Sequence, residues 1–266
     1  MVSQLPDPQL LTKAEAMVTQ FEQSKVPGIW PGLQKPQVIQ EMRSRLDEPL
    51  QVNQGRQPFC GPASILFELI RHNPGYYVEI CQNLFLIGGF HTQFSRWVSA
   101  SDKLLANTGN LQMPQGDWMV LSTWRNAENL IFPVDPTAPD VIRNISGMTK
   151  SWEMVGWVRE ILGYRKAEYH HAYFTGDLEA LQKANDAIKS GGVAFALINA
   201  DGMLSDKKPL VSFPNHWVTI LGNIVIQPGQ KEKQVSFDIY TWARQMHVSL
   251  NESDFKKHLW GIVTGV

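Results

Sequence analysis

Apolar residues recur at helical spacing through the first two thirds of the chain and gather into short dense runs in the last third. Leu11, Ala14, Met17, Val18 and Phe21 fall on one face of a helix over about residues 8–25. The run Val26-Pro-Gly-Ile-Trp-Pro-Gly then breaks it twice. A shorter helix is predicted over about 36–46. From 60 to 72, Ala63, Ile65, Leu66, Leu69 and Ile70 repeat at helical spacing and predict a central, buried helix, which Asn73-Pro-Gly closes. Further helices are predicted over about 76–86, 93–106, 117–130 and 151–162. Thr149 or Ser151 can cap the last of these and Gly163 can end it. Three prolines mark 133–139 as a loop.

The texture then changes. Residues 177–189 read as a helix that Gly191-Gly192 stops, and Val193-Ala-Phe-Ala-Leu-Ile-Asn reads as a buried strand. Residues 216–222, 234–242 and 259–264 read as further strands. Helices first and strands later predict an α+β fold. Residues 1–50 form an N-terminal helical appendage in this reading. Residues 51–266 form the main domain, with a helical half at about 54–165 and a β-rich half at about 177–266. No internal repeat or low-complexity tract interrupts it.

With 266 residues, 43% hydrophobic and 18% charged, the chain can bury a sizeable core. A net charge of −1 gives no electrostatic footprint for nucleic acid. No stretch approaches the roughly 18 consecutive apolar residues of a membrane helix, so no membrane insertion is expected. The opening Met-Val-Ser-Gln-Leu-Pro lacks a basic segment followed by an apolar run, so no secretory signal peptide is visible. Synthesis in a cytoplasm would keep Cys60 and Cys81 reduced, and two cysteines cannot build a disulfide framework.

Chemistry concentrates at Gln54-Gly-Arg-Gln-Pro-Phe-Cys60-Gly-Pro-Ala. A thiol stands where a loop turns into a helix. The unpaired N–H groups and the macrodipole at a helix start favour a thiolate there, and the thiolate is the reactive form. A thiol hydrolase also needs a base, a group to orient the base and a donor for the oxyanion. His216, at the start of an apolar strand, is the candidate base. Asp238, on the following strand, is the candidate orienting group. Gln54 can donate its amide to the oxyanion beside the Cys60 N–H. Trp217 and Trp242 are candidates to wall a substrate cleft and exclude water.

Gln-x5-Cys-Gly-x-Ala, then Gly-Gly-Val-Ala-Phe-Ala-Leu-Ile, His-Trp-Val-Thr-Ile-Leu-Gly and Phe-Asp-Ile-Tyr together resemble papain-like cysteine peptidases. The branch most similar is that of the bacterial double-glycine leader peptidases. The resemblance covers about 54–70 and 178–240. It implies a papain-like fold, with Cys60 as nucleophile, His216 as base, Asp238 as third member and Gln54 lining the oxyanion hole. It also implies a protein substrate cut after a small residue such as Gly, with Gly-Gly the family's own preference. A stand-alone peptidase of this kind resembles a bacterial effector or toxin, which implies an inhibitory immunity protein and delivery into another cell by a specialised secretion system. The chain departs from the family in two places. Tyr240-Thr241-Trp242 stands where Pro-x-Gly is frequent, and Phe59 stands where the exporter branch has an acidic residue.

The same thiol could instead serve a deamidase or a transglutaminase-type acyl transferase, since all share a thioester. An inactive papain-like binding protein is the reading from another class. Other residues have plainer explanations. Cys81 lies mid-helix and reads as structural. His170-His171 reads as exposed, with no Cys or carboxylate cluster at metal-ligand spacing, so neither metal nor cofactor is expected. Gln57 is a rival to Gln54 but lies within the turn. Asn223 and Asp201 are rivals to Asp238, and His91 and His247 are weaker base candidates than His216.

Overall fold

The computed structural model describes residues 5–107, 111–128, 149–205 and 213–266. The loop expected at 133–139 lies outside the described residues. The chain divides into two compact units. One runs to Thr149 and takes back Glu160–Gly163; the other comprises Lys150–Arg159 and Tyr164–Val266.

In chain order the first unit holds α1 (Pro8–Gln23), α2 (Lys35–Asp47), a 3-10 turn (Pro49–Gln51), α3 (Cys60–His72) and α4 (Pro74–Ile87). The strands β1 (Gly89–His91) and β2 (Trp97–Ser99) follow, then α5 (Asp102–Leu105) and α6 (Gln115–Glu128). The opening segment is part of this unit. Asp7 caps α1 by accepting the Gln9 and Leu10 N–H groups, and Ala14, Val18 and Phe21 are its buried stripe. Phe21 meets Phe85 of α4 edge-on, with ring centroids 5.7 Å apart. The connection to α2 is pinned by Trp30, whose indole N–H donates to the Leu84 carbonyl at 2.6 Å.

The helix expected over 93–106 does not form. A short antiparallel hairpin takes its place, with Phe90 paired to Val98 and both buried, followed by the single turn α5. Three-residue strands are too short for period-two alternation to declare itself, and Ser95, at φ +64°, turns the chain between them.

The second unit holds α7 (Ser151–Glu160, its last residue counted with the first unit), β3 (Ala167–His171), α8 (Ala172–Thr175), α9 (Asp177–Lys189) and β4 (Val193–Ile198). Next come α10 (Ala200–Met203), β5 (His216–Gln227), β6 (Gln234–Thr241), β7 (Arg244–Asn251), α11 (Glu252–His258) and β8 (Leu259–Gly265). The strands form one six-stranded sheet in the order β3-β8-β4-β5-β6-β7, with every neighbouring pair antiparallel. A helix-rich unit beside an antiparallel-sheet unit in sequence makes this an α+β protein.

All six residues of β4 are buried, which explains its unbroken apolar run. One sheet face builds the core: Ala194, Ala196 and Ile198, Val218 and Ile220, and Val235, Phe237 and Ile239 pack with Leu181 and Ala184 of α9 and Phe255 of α11. β3 takes up the His170-His171 stretch. Against expectation His170 is buried, its Nε2 lying 2.9 Å from Thr264 Oγ1 on the neighbouring strand β8.

Candidate functional site

Cys60 is the first residue of α3, the most enclosed helix of the first unit: every residue from Cys60 to Arg71 is buried. Phe59 is the N-cap and makes no side-chain capping bond, and the first turn holds no acidic residue. Pro62 brings no N–H to that turn, and Gly61 lets the helix start press against Thr149. A Cβ at 61 would stand 2.4 Å from Thr149 Oγ1. The first turn of α3 therefore brings no carboxylate of its own to the positive end of the helix, where Cys60 stands. Neither cysteine is in a disulfide. Cys81, on α4, is fully buried, and that burial pushes its thiol well above the ordinary range.

Gln54 is half-buried in the loop before α3. Its Nε2 donates to the Gln57 carbonyl at 3.0 Å, which uses one of its two amide hydrogens. The rival Gln57 is buried and serves the turn, its carbonyl also accepting the Phe59 N–H at 2.8 Å.

The remaining candidates lie in the second unit. His216 opens β5 and is only 6% exposed. Burial without a compensating charge lowers its pKa to about 4, so the ring is neutral at pH 7. Its Nε2 lies 2.5 Å from Thr241 Oγ1, at the end of β6. Trp242 stacks on the imidazole, with centroids 4.7 Å apart and planes 25° from parallel. An Nε2–H that donates to Thr241 leaves the lone pair on Nδ1, which is the form a general base needs.

Asp238 is not the partner of this imidazole. Ile220 pairs with Ile239, so His216, Val218 and Ile220 share a sheet face with Phe237, Ile239 and Thr241. Asp238 points to the other face, where it pairs across β7 with His247. Its carboxylate accepts from His247 Nδ1 at 2.6 Å, Asn223 Nδ2 at 2.5 Å and Gln245 Nε2 at 3.2 Å. Burial raises the pKa of this carboxyl, but those bonds outweigh burial and hold it below the ordinary value. The register decides the matter: one residue along a strand changes the face.

Trp217 is likewise turned away from its assigned place. It is 1% exposed and belongs to the interior, whereas Trp242 keeps 43% of its surface. Of the two tryptophans, Trp242 is the one with surface to offer a substrate. Thr241, the residue beside the His216 ring, stands inside the Tyr240-Thr241-Trp242 departure from the family pattern.

Trp242 and Ala243 form the two-residue turn between β6 and β7, both with positive φ, +48° and +56°. Such a turn prefers Asn-Gly, so both residues are held in the left-handed region at a cost. Among the described residues no group of three or more His, Cys, Asp or Glu could hold a metal ion, and no helix is long and apolar enough to cross a membrane. No family model matches the chain, and no curated protein matches it.

Proposed function

We propose that the chain is a papain-like thiol hydrolase acting on a protein substrate. In this reading Cys60 attacks a carbonyl carbon, His216 carries the proton, and Gln54 with the Cys60 N–H holds the oxyanion. Thr241 replaces Asp238 as the group that orients the base. The observation that carries the reading is the buried imidazole of His216, anchored at Nε2 by a hydroxyl and covered by an indole. A hydroxyl partner alone is what any buried imidazole finds, as His170 does in Thr264; His216 differs in being covered by an indole that keeps 43% of its surface exposed. The start of α3, which Phe59 does not cap with its side chain, supplies the complementary half, a thiol at the positive end of a helix.

The reading requires Sγ of Cys60 and Nδ1 of His216 to react as a pair, and thiol chemistry reports that directly. Iodoacetamide near neutral pH is expected to label Cys60 before Cys81, and His216→Ala is expected to abolish the preference. Equal labelling of both thiols in the wild type would refute the reading. The preference for a small residue before the cut, and the role as a bacterial effector held in check by an immunity protein, rest on the family resemblance. Comparing cleaved protein N-termini in cells carrying wild type or Cys60→Ala tests them. A mass gain of about one dalton on a target, with no fragments, would instead identify deamidation through the same thioester.

A further inference from the structure

The first turn of α6 anchors the loop that carries Gln54. Asp117 Oδ2 accepts the Asn53 N–H at 2.9 Å, and Asn53 Oδ1 accepts the Gly55 N–H at 2.8 Å. Gly55, at φ +59°, lies so close to the segment before α6 that a Cβ there would stand 2.6 Å from the Gln112 carbonyl oxygen and 2.9 Å from Met113 Cβ. This segment also lines a cavity of about 490 Å³, whose walls include Gln37, Glu41, Leu111, Met113, Pro114 and Gln115.

Glu41 is 8% exposed. Its Oε1 accepts from Gln37 Nε2 at 2.8 Å and its Oε2 from the Gly116 N–H at 2.5 Å, so it caps the start of α6. Arg45, one turn further along α2, is committed to Asp117 through Nε–Oδ1 at 3.3 Å and Nη2–Oδ2 at 2.7 Å. Among the described residues no lysine or arginine forms an ion pair with Glu41. Asp117 thus holds the one guanidinium, and the second buried carboxylate, Glu41, borders an open cavity. Each Glu41 oxygen accepts one hydrogen bond and keeps a second lone pair for a further donor. The side chain of Gln37, with its NH₂ turned to Glu41, has a carbonyl oxygen as a further acceptor. Leu111, Met113 and Pro114 add an apolar wall.

We propose that this cavity binds an alkylammonium or alkylguanidinium group, with the cation at Glu41 and Gln37 and its stem along Leu111, Met113 and Pro114. The side chain of a lysine or arginine and a free alkylamine share this chemistry. The volume falls in the range of pockets that hold a small ligand, more than a lone ion needs. The site is independent of the thiol reading, since it calls on neither Cys60 nor His216.

Calorimetric titration of the full chain at low salt tests it, using Nα-acetyl-lysine methylamide, butylamine and Nα-acetyl-norleucine methylamide. Saturable binding of the two amines, and none of the norleucine compound, is expected. Tighter binding of the lysine compound than of butylamine would identify a polypeptide side chain as the guest, and the reverse would identify a free amine. Glu41→Gln keeps an acceptor for Gly116 and is expected to weaken lysine binding by at least about tenfold, the usual loss for a charged hydrogen bond. Leu111→Trp, which fills the cavity and leaves the carboxylate in place, is expected to abolish binding. Absence of saturable binding, equal binding of the norleucine compound, or unchanged affinity in both variants would overturn the proposal. The readout is binding, so its failure would leave the thiol chemistry untouched.

Discussion

The start of α3 and the β6–β7 turn prepare their residues in opposite ways. Cys60 sits in unstrained helical backbone and draws its electrostatics from peptide groups that any helix start would present. His216 draws its orientation from the end of another strand, and that strand ends in two residues forced to positive φ. The first arrangement is local and written in consecutive residues. The second depends on register and on a turn with unfavourable turn chemistry. A local device tolerates change elsewhere; a register-dependent one does not.

The largest effects should come from removing either member of the proposed Cys60–His216 pair. Cys60→Ala is expected to abolish turnover with little change in thermal midpoint, because the side chain is small and stands at a helix end. His216→Ala is expected to slow Cys60 alkylation at pH 7 by roughly 10²–10⁴-fold, the range for a positioned acid–base group. Stopped-flow alkylation measures this, and a change under threefold would separate the two residues for good.

A second test uses pH. The folded-state pKa of His216 lies at about 4, below its ordinary value of 6.5. The unfolded chain therefore binds the proton more readily. This stability contribution is fully present above pH 6.5 and is lost as pH falls from 6.5 towards 4, by about 3 kcal/mol in total. Urea midpoints between pH 4 and 7 should show the loss in wild type and a flatter curve in His216→Gln. Parallel curves would mean that the burial of this ring carries no such penalty.

Thr241 and Asp238 sharpen the contrast further. Thr241→Val keeps the shape and removes the hydroxyl, and should lower turnover by roughly 10–100-fold, the worth of one buried hydrogen bond. Asp238→Asn should change turnover by less than about twofold, since its hydrogen bonds run to His247, Asn223 and Gln245 on the other sheet face. The opposite ranking, read from kcat in the two variants, would restore Asp238 to the base. The smallest effect belongs to the turn. Ala243→Gly relieves a positive φ and should raise stability by roughly 1 kcal/mol, read as a higher urea midpoint.

What the sequence disclosed follows the same division. The helix at 60–72 was legible to the residue because its apolar spacing is dense and Asn73-Pro-Gly ends it. The strands at 193, 216, 234 and 259 were legible as apolar runs. β7 was not, although Met246, Val248 and Leu250 alternate, because Trp242-Ala243 carries none of the glycine or asparagine that announces a tight hairpin. Missing that hairpin hid the partner of His216. Asp238 has the chemistry and the strand of an orienting group, but strand membership alone does not say which face a side chain takes. Thr241 has the humbler side chain and the correct parity.

The contact between Gly61 and Thr149 gives the Cys-Gly pair a double meaning. In the proposed reading the sulfur answers to reactivity, while its neighbour answers to steric exclusion, since any larger residue at 61 would drive the helix off the threonine. A change at 61 could therefore silence the thiol without altering a single reactive atom, and a search for the motif alone would mistake a packing rule for a chemical one.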